Sequence, residues 1–172
     1  MNGEERRMQI LHRLQESDTP LSGTALAKAL HVSRQIIVQD IALMRAENYG
    51  ILSTNKGYLL RSEKTENKQP KRVFFVKHSR QQVLEEFLTV LELGGKFLDV
   101  AVEHEIYGQI CVDLLIETES DAVDFYEKLL VCRDNPLNVL TDGCHNHTVS
   151  APSEKLLDLI EDALRSKGLL IT

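Results

Sequence analysis

A polar stretch at 62–72, SEKTENKQPKR, constrains this 172-residue chain more than any other feature. It contains a proline and is nearly free of apolar side chains, so it reads as a linker between two separately buried cores. The flanking segments differ in charge. Residues 1–62 carry 8 Lys and Arg against 6 Asp and Glu, whereas residues 73–172 carry 8 against 18. A basic front on an acidic back suggests one module that faces a polyanion and a second with another task. The expected organisation is a first domain at 1–62, a linker at 63–72 and a second domain at 73–172.

Composition removes whole classes. Apolar residues make up 42% and charged residues 27%, an ordinary globular balance. No apolar run approaches the roughly 18 residues of a membrane helix. The N-terminus MNGEERRMQI is charged and helical in pattern, unlike a signal peptide. Cys111, Cys132 and Cys144 form an odd set without a CxxC pair, which argues against a disulfide framework and suits a reducing cytoplasm. The expected setting is therefore cytoplasmic, with no membrane partner.

In the first domain, Met8, Ile10, Leu11 and Leu14 recur at helical spacing over 4–16. After Pro20, Ser22 caps a second helix whose inner face is expected to hold Ala25, Leu26, Ala29 and Leu30. Only His31 and Val32 separate it from Ser33, the expected cap of a third helix that runs to about Glu47. Ile37, Ile41 and Met44 form the inner face of that helix, so Arg34, Gln35, Val38, Gln39, Ala42 and Arg45 fall on the outer one. Short strands at 51–53 and 58–60 flank a turn that contains Lys56. Two helices across a tight turn, followed by a hairpin, fit a winged helix-turn-helix. Arg and Gln on its third helix suit guanine and adenine edges in the major groove, Ser33 places a helix N-terminus near phosphate, and Lys56 sits on the wing. The same pattern also fits an interaction module without a DNA target. The segment SGTALAKALHVSRQIIVQDIALMRAENYGI, with its wing NKGYLL, resembles the winged helix-turn-helix of biotin-repressor-like regulators. His31 stands where such turns usually carry glycine, and a left-handed backbone strains His less than most residues.

The second domain alternates strand and helix. Strands are expected at 73–77, 97–103, 109–116, 137–140 and 147–150, and helices after Ser79, over 120–132, and from Ser153 to near Gly168. Ser79 and Gln82 form a capping box for a helix that carries Val83, Leu84, Phe87, Leu88 and Leu91. The chain as a whole is then α+β: a winged helix-turn-helix followed by a compact α/β sandwich, one sheet with helices packed on it.

His145-Asn146-His147 is an H-x-H whose imidazoles share one face in extended backbone, while Cys144 points the other way. By itself the motif also fits two exposed neighbours. His78 ends a strand just before a helix that bears Glu85 and Glu86. Three imidazoles with a carboxylate suit Zn, Ni, Co or Fe(II). The runs KHSRQQVLEEF, DVAVEHEIYG and GCHNHTVSAP resemble the three-histidine (3H) domain that lies behind such a helix-turn-helix in niacin-responsive repressors, the NiaR family. The resemblance covers essentially all of 73–172. It implies a repressor of genes for NAD synthesis and niacin uptake, with nicotinic acid as co-repressor. It also implies one divalent metal ion per chain (Ni, Zn or Fe) on His78, Glu86, His145 and His147; Glu85 matches that spacing less well. His104 lies in the family's VEHxxYG motif and, with Tyr107, is assigned to a possible effector pocket.

The expected protein is thus a homodimeric repressor whose two recognition helices are held about 34 Å apart on a pseudo-palindromic operator. The DNA contacts expected are Ser33, Arg34, Gln35, Val38, Gln39, Arg45 and Lys56. A metal-sensing regulator, with the ion itself as effector, is the alternative. No partnered general base or nucleophile accompanies the motif, so no catalytic residue is expected.

Overall fold

The computed structural model describes residues 1–61 and 68–171. It divides into two compact units, Met1–Asn67 and Lys68–Thr172. Residues 63–67 of the expected linker lie outside the described residues, whereas Lys71 and Arg72 at its end already belong to a strand.

In the first unit, α1 (Gly3–Glu16), α2 (Gly23–Ala29) and α3 (Arg34–Ala46) precede a hairpin of β1 (Ile51–Thr54) and β2 (Gly57–Leu60). Side chains set the helix starts. Asn2 accepts from the Glu5 N–H at 2.8 Å, Ser22 from Ala25 at 3.0 Å and Ser33 from Ile36 at 3.3 Å, each satisfying an otherwise orphaned donor. His31 takes the left-handed conformation expected of the turn, at φ 55°. Leu21 and Tyr58 exchange backbone hydrogen bonds of 2.9 and 2.8 Å, which adds a third short segment to the wing. The core comprises Ile10, Leu14, Leu26, Ala27, Leu30, Ile37, Ile41, Met44 and Ile51. On α2 the inward alanine is Ala27; Ala25 and Ala29, expected inside, are exposed because the helix packs through Leu26 and Leu30.

The second unit is built on four antiparallel strands in the order β5-β4-β6-β3: Gly108–Ile116, Lys96–His104, Cys144–Ser150 and Lys71–Lys77. Three helices cover one face, α4 (Val83–Glu92), α5 (Glu119–Val131) and α6 (Glu154–Ser166). Val83, Phe87 and Val90 of α4 and Leu157, Ile160 and Leu164 of α6 meet Phe74, Val76, Phe97, Leu114, Ile116 and Val149 of the sheet. A turn of 3-10 helix at Arg80–Gln82 leads into α4, where the Gln82 side chain accepts from the Ser79 N–H at 3.1 Å.

Two expectations are corrected. Residues 137–140 are not a strand but part of a 3-10 segment, Leu137–Thr141, set off by Pro136 and closed by Asp142 in the left-handed region at φ 53°. The last strand begins at Cys144 rather than 147, which puts the H-x-H inside β6 and not at its entrance. Both changes follow from the turn at Asp142-Gly143, which releases the chain into extended backbone three residues early.

Leu164, near the end of α6, is buried in the core between helices and sheet. Leu164→Ala is expected to cost about 2–5 kcal/mol of stability, read as a lowered urea midpoint. A midpoint within error of the parent would contradict this packing.

Candidate metal centre and nucleic-acid interface

Residues on β6 alternate, so His145, His147 and Val149 all face the helices while Asn146 and Thr148 face away. His145 lies opposite Val76, and His147 opposite Phe74, on β3. His78 follows the last residue of β3, and the capped turn after it brings α4 back over the same end of the sheet. Glu86 lies on the apolar face of α4 beside Val83, Phe87 and Val90, where its side chain is 1% exposed. His78, His145 and His147 are also buried.

The four groups converge. Glu86 Oε2 is 2.7 Å from His78 Nε2, 3.6 Å from His147 Nε2 and 4.0 Å from His145 Nε2. Donor atoms of His78, Glu86 and His145 all lie within 4.8 Å of one another; His147 stands outside that tightest trio, packed edge-on against Phe97. The other ring nitrogens are already used. His78 Nδ1 meets the Ser79 carbonyl at 2.9 Å, His145 Nδ1 that of Gly143 at 3.0 Å, and His147 Nδ1 that of Asp99 at 2.8 Å. A carbonyl only accepts, so each Nδ1 carries the hydrogen and each neutral ring turns its Nε2 lone pair toward Glu86.

This leaves acceptors facing acceptors. His78 Nε2 and both Glu86 carboxylate oxygens are buried without a hydrogen-bond partner. Protonation offers only a partial remedy. Burial opposes charge on His78, but the Glu86 carboxylate 2.7 Å away outweighs it and raises its pKa. Burial likewise pushes the Glu86 carboxyl up, yet His147 and His78 together hold it well below the usual carboxylate range. His145 moves the other way, to about 4, first through burial and then through the charge of His147. The set thus combines an ionised carboxylate with at least one imidazole that resists protonation. A divalent cation fits it, because it would take the lone pairs and balance the carboxylate together.

Backbone devices position the rings. Gly143 adopts φ 86°, and a Cβ there would lie 3.0 Å from the His78 carbonyl oxygen. Near Asp99 the register of β4 slips: four steps from Phe97 to Ala101 run against three on β6, from Val149 to Asn146. That irregularity leaves the Asp99 carbonyl for His147, while Asp99 Oδ1 accepts from the Thr148 N–H at 3.0 Å. Neither Asp99 nor Gly143 stood out in the sequence; a glycine two residues before an H-x-H is the one available signal.

Other expected residues fall elsewhere. Glu85 is exposed and pairs with Lys167 at 3.3 Å. His104 and Tyr107 stand at the tip of the β4–β5 hairpin. There His104 Nδ1 accepts from the N–H groups of Ile106 and Tyr107, and the two rings lie 4.9 Å apart. A cleft of about 430 Å³ instead adjoins His78, lined by Lys77, Ser79, Arg80, Asn138 and Val139 among others. Arg80 Nε and Asn138 Oδ1 are buried there without a hydrogen-bond partner.

On α3, Ser33, Arg34, Gln35, Val38, Gln39, Ala42 and Arg45 are exposed, opposite the buried Ile37, Ile41 and Met44. Arg45 Nη1 donates to Ser53 Oγ at 3.1 Å, which ties the end of the helix to the wing. Lys56 is half-buried between β1 and β2, its N–H held by Thr54 Oγ1 at 3.1 Å. Asp40 on the same helix is buried and bound by Arg6, a contact between helices that leaves no local sequence signal.

Gly143→Ala is expected to cost about 1–3 kcal/mol, from a left-handed backbone and a crowded His78 carbonyl. Equilibrium unfolding in urea checks it; an unchanged stability would show that this turn does not constrain the histidines.

Among the described residues, no helix is long and apolar enough to cross a membrane. Residues 71–172 match the model of the 3H domain, and residues 6–59 that of an HTH domain. The chain is 39% identical over 168 residues to the "Probable transcription repressor NiaR" of Thermotoga maritima, covering 98% of this chain and 94% of that one. It is 36% identical over 170 residues to the "Transcription repressor NadR" of Bacillus subtilis, with the same coverage of both chains. An HTH domain joined to a 3H domain, and likeness along nearly the whole length, place the chain in the NiaR family of DNA-binding transcription repressors, which are not enzymes.

Proposed function

We propose that this repressor binds one divalent transition-metal ion per chain through His78, Glu86, His145 and His147, and that nicotinic acid acts as its co-repressor at genes for NAD synthesis and niacin uptake. The observation that carries the metal is the convergence of three committed imidazoles on a buried carboxylate whose oxygens have no partner. Metal-bound histidines characteristically donate their second ring N–H to a carbonyl or carboxylate, as all three do here. Nickel, zinc and iron(II) all accept this donor set. When bound, the ion would neutralise Glu86 and join α4 to β6. The chain's own residues supply the rest: Ser79, Gly143 and Asp99 fix the ring orientations, and the apolar packing of Phe87 and Phe97 excludes water.

The co-repressor reading rests on the family resemblance and on the cleft beside His78. Two of its lining residues, Arg80 and Asn138, bring a guanidinium and an amide suited to a carboxylate ligand. On the DNA side, two copies in the cytoplasm would present α3 to the half-sites of a pseudo-palindromic operator, with Ser33, Arg34, Gln35, Val38, Gln39 and Arg45 at the groove and Lys56 on the wing. Burial of all four donor groups also favours a second reading, in which the ion is itself the effector.

Nickel(II) at 1,000 times its dissociation constant is expected to stabilise the metal-free protein by about 4 kcal/mol, seen as a raised thermal midpoint. Glu86→Gln is expected to lose most of that rise, and an equal rise in both proteins would contradict the site. Calorimetry at saturating metal then separates the two readings. Saturable binding of nicotinate, without binding of nicotinamide or quinolinate, supports the co-repressor; no nicotinate binding leaves the ion as effector. Arg34→Ala is expected to lose roughly 1–3 kcal/mol of sequence-specific affinity. Lys56→Ala is expected to weaken binding uniformly and reduce the salt slope by about one. Unchanged operator affinity in Arg34→Ala would reject this docking of α3.

A further inference from the structure

Among the described residues of the N-terminal unit, Asp40 is the one buried charged side chain, 2% exposed on the inward face of α3 between Ile37 and Ile41. Both its oxygens are engaged from α1. Arg6 Nε donates to Oδ2 at 2.5 Å and Arg6 Nη2 to Oδ1 at 3.2 Å, while Arg7 Nη1 stands 3.7 Å from Oδ1. Arg6 is itself held in place, because Asn2 and Glu5 cap the turn that carries it.

A charge here is a weak way to gain stability, since an apolar pair of similar volume usually does as well or better. Its distinctive property is geometric. Apolar contacts between two helices tolerate small rotations and slides, whereas a guanidinium fork on a carboxylate has one favourable orientation. Rotation of α3 about its axis is also what base reading cannot tolerate: Arg34, Gln35, Val38, Gln39 and Arg45 share the helix with Asp40 on its opposite face.

We propose that Arg6 and Asp40 are positioning residues for operator discrimination: their fork fixes the rotation of α3 and so the aim of its exposed face, without touching DNA. The proposal rests on α3 being the helix that reads bases.

The test uses the full-length protein with nickel(II) and nicotinate present throughout. A duplex enriched from a random library by the parent protein is compared with a scrambled duplex of equal composition, and the ratio of the two dissociation constants is the readout. Arg6→Met with Asp40→Leu is expected to keep or raise the thermal midpoint while the ratio falls about tenfold, comparable with one lost base contact. Arg6→Lys, which keeps the charge but loses the fork, is expected to lower the ratio about threefold. A folded apolar pair with an unchanged ratio would overturn the proposal, because the ion pair would then be a replaceable part of the core. Should the apolar pair fail to fold, an unchanged ratio in Arg6→Lys overturns it equally. Arg34→Ala tests the premise: if it leaves the ratio intact, α3 is not the reading helix and the proposal falls with it. If Arg34→Ala lowers the ratio and the fork variants do not, the proposal alone falls.

Discussion

The C-terminal unit depends on a conflict between acceptors. Three imidazoles whose Nδ1–H groups are already given to backbone carbonyls turn lone pairs toward a carboxylate, inside a largely apolar helix–sheet interface. Leaving such a carboxylate buried and uncompensated costs several kcal/mol. Much of the local architecture serves to hold this arrangement together. The β3–β6 register sets His145 and His147 on one face, the left-handed turn at Asp142-Gly143 supplies one carbonyl, and the slipped register of β4 supplies another. The capped turn after His78 completes the set by returning Glu86 to the sheet.

The N-terminal unit solves a different problem with different means. Among its described residues, the core is apolar apart from Asp40. Caps at Asn2, Ser22 and Ser33 satisfy helix starts, and the left-handed His31 lets α2 and α3 follow one another with almost no connector. The outcome is an exposed helix face rich in Arg and Gln on a rigid support, the arrangement that base reading requires.

Much of this was legible in the sequence because it is local. Periodicity at Ile37, Ile41 and Met44 gave the inner face of α3, serine caps gave its start, and strand alternation gave the common face of His145 and His147. The carboxylate was less so: Glu85 and Glu86 both follow His78, and only the packing of Val83, Phe87 and Val90 turns Glu86 inward. What escaped was non-local. Asp99 contributes a backbone carbonyl, which leaves no trace in side-chain chemistry, and Asp40 finds its partner 34 residues away on another helix. Residues 137–140 have the apolar content of a strand, but Pro136 and left-handed Asp142 wind them into a 3-10 segment.

The central claim is that four buried side chains form one metal site. X-ray absorption spectroscopy of the full-length protein loaded with one equivalent of nickel(II) tests it most directly. The expected spectrum shows a first shell of nitrogen and oxygen only, with outer-shell scattering from three imidazoles, and Glu86→Gln changes that shell. A shell containing sulfur, scattering from fewer than three imidazoles, or a spectrum unaffected by Glu86→Gln would contradict the claim.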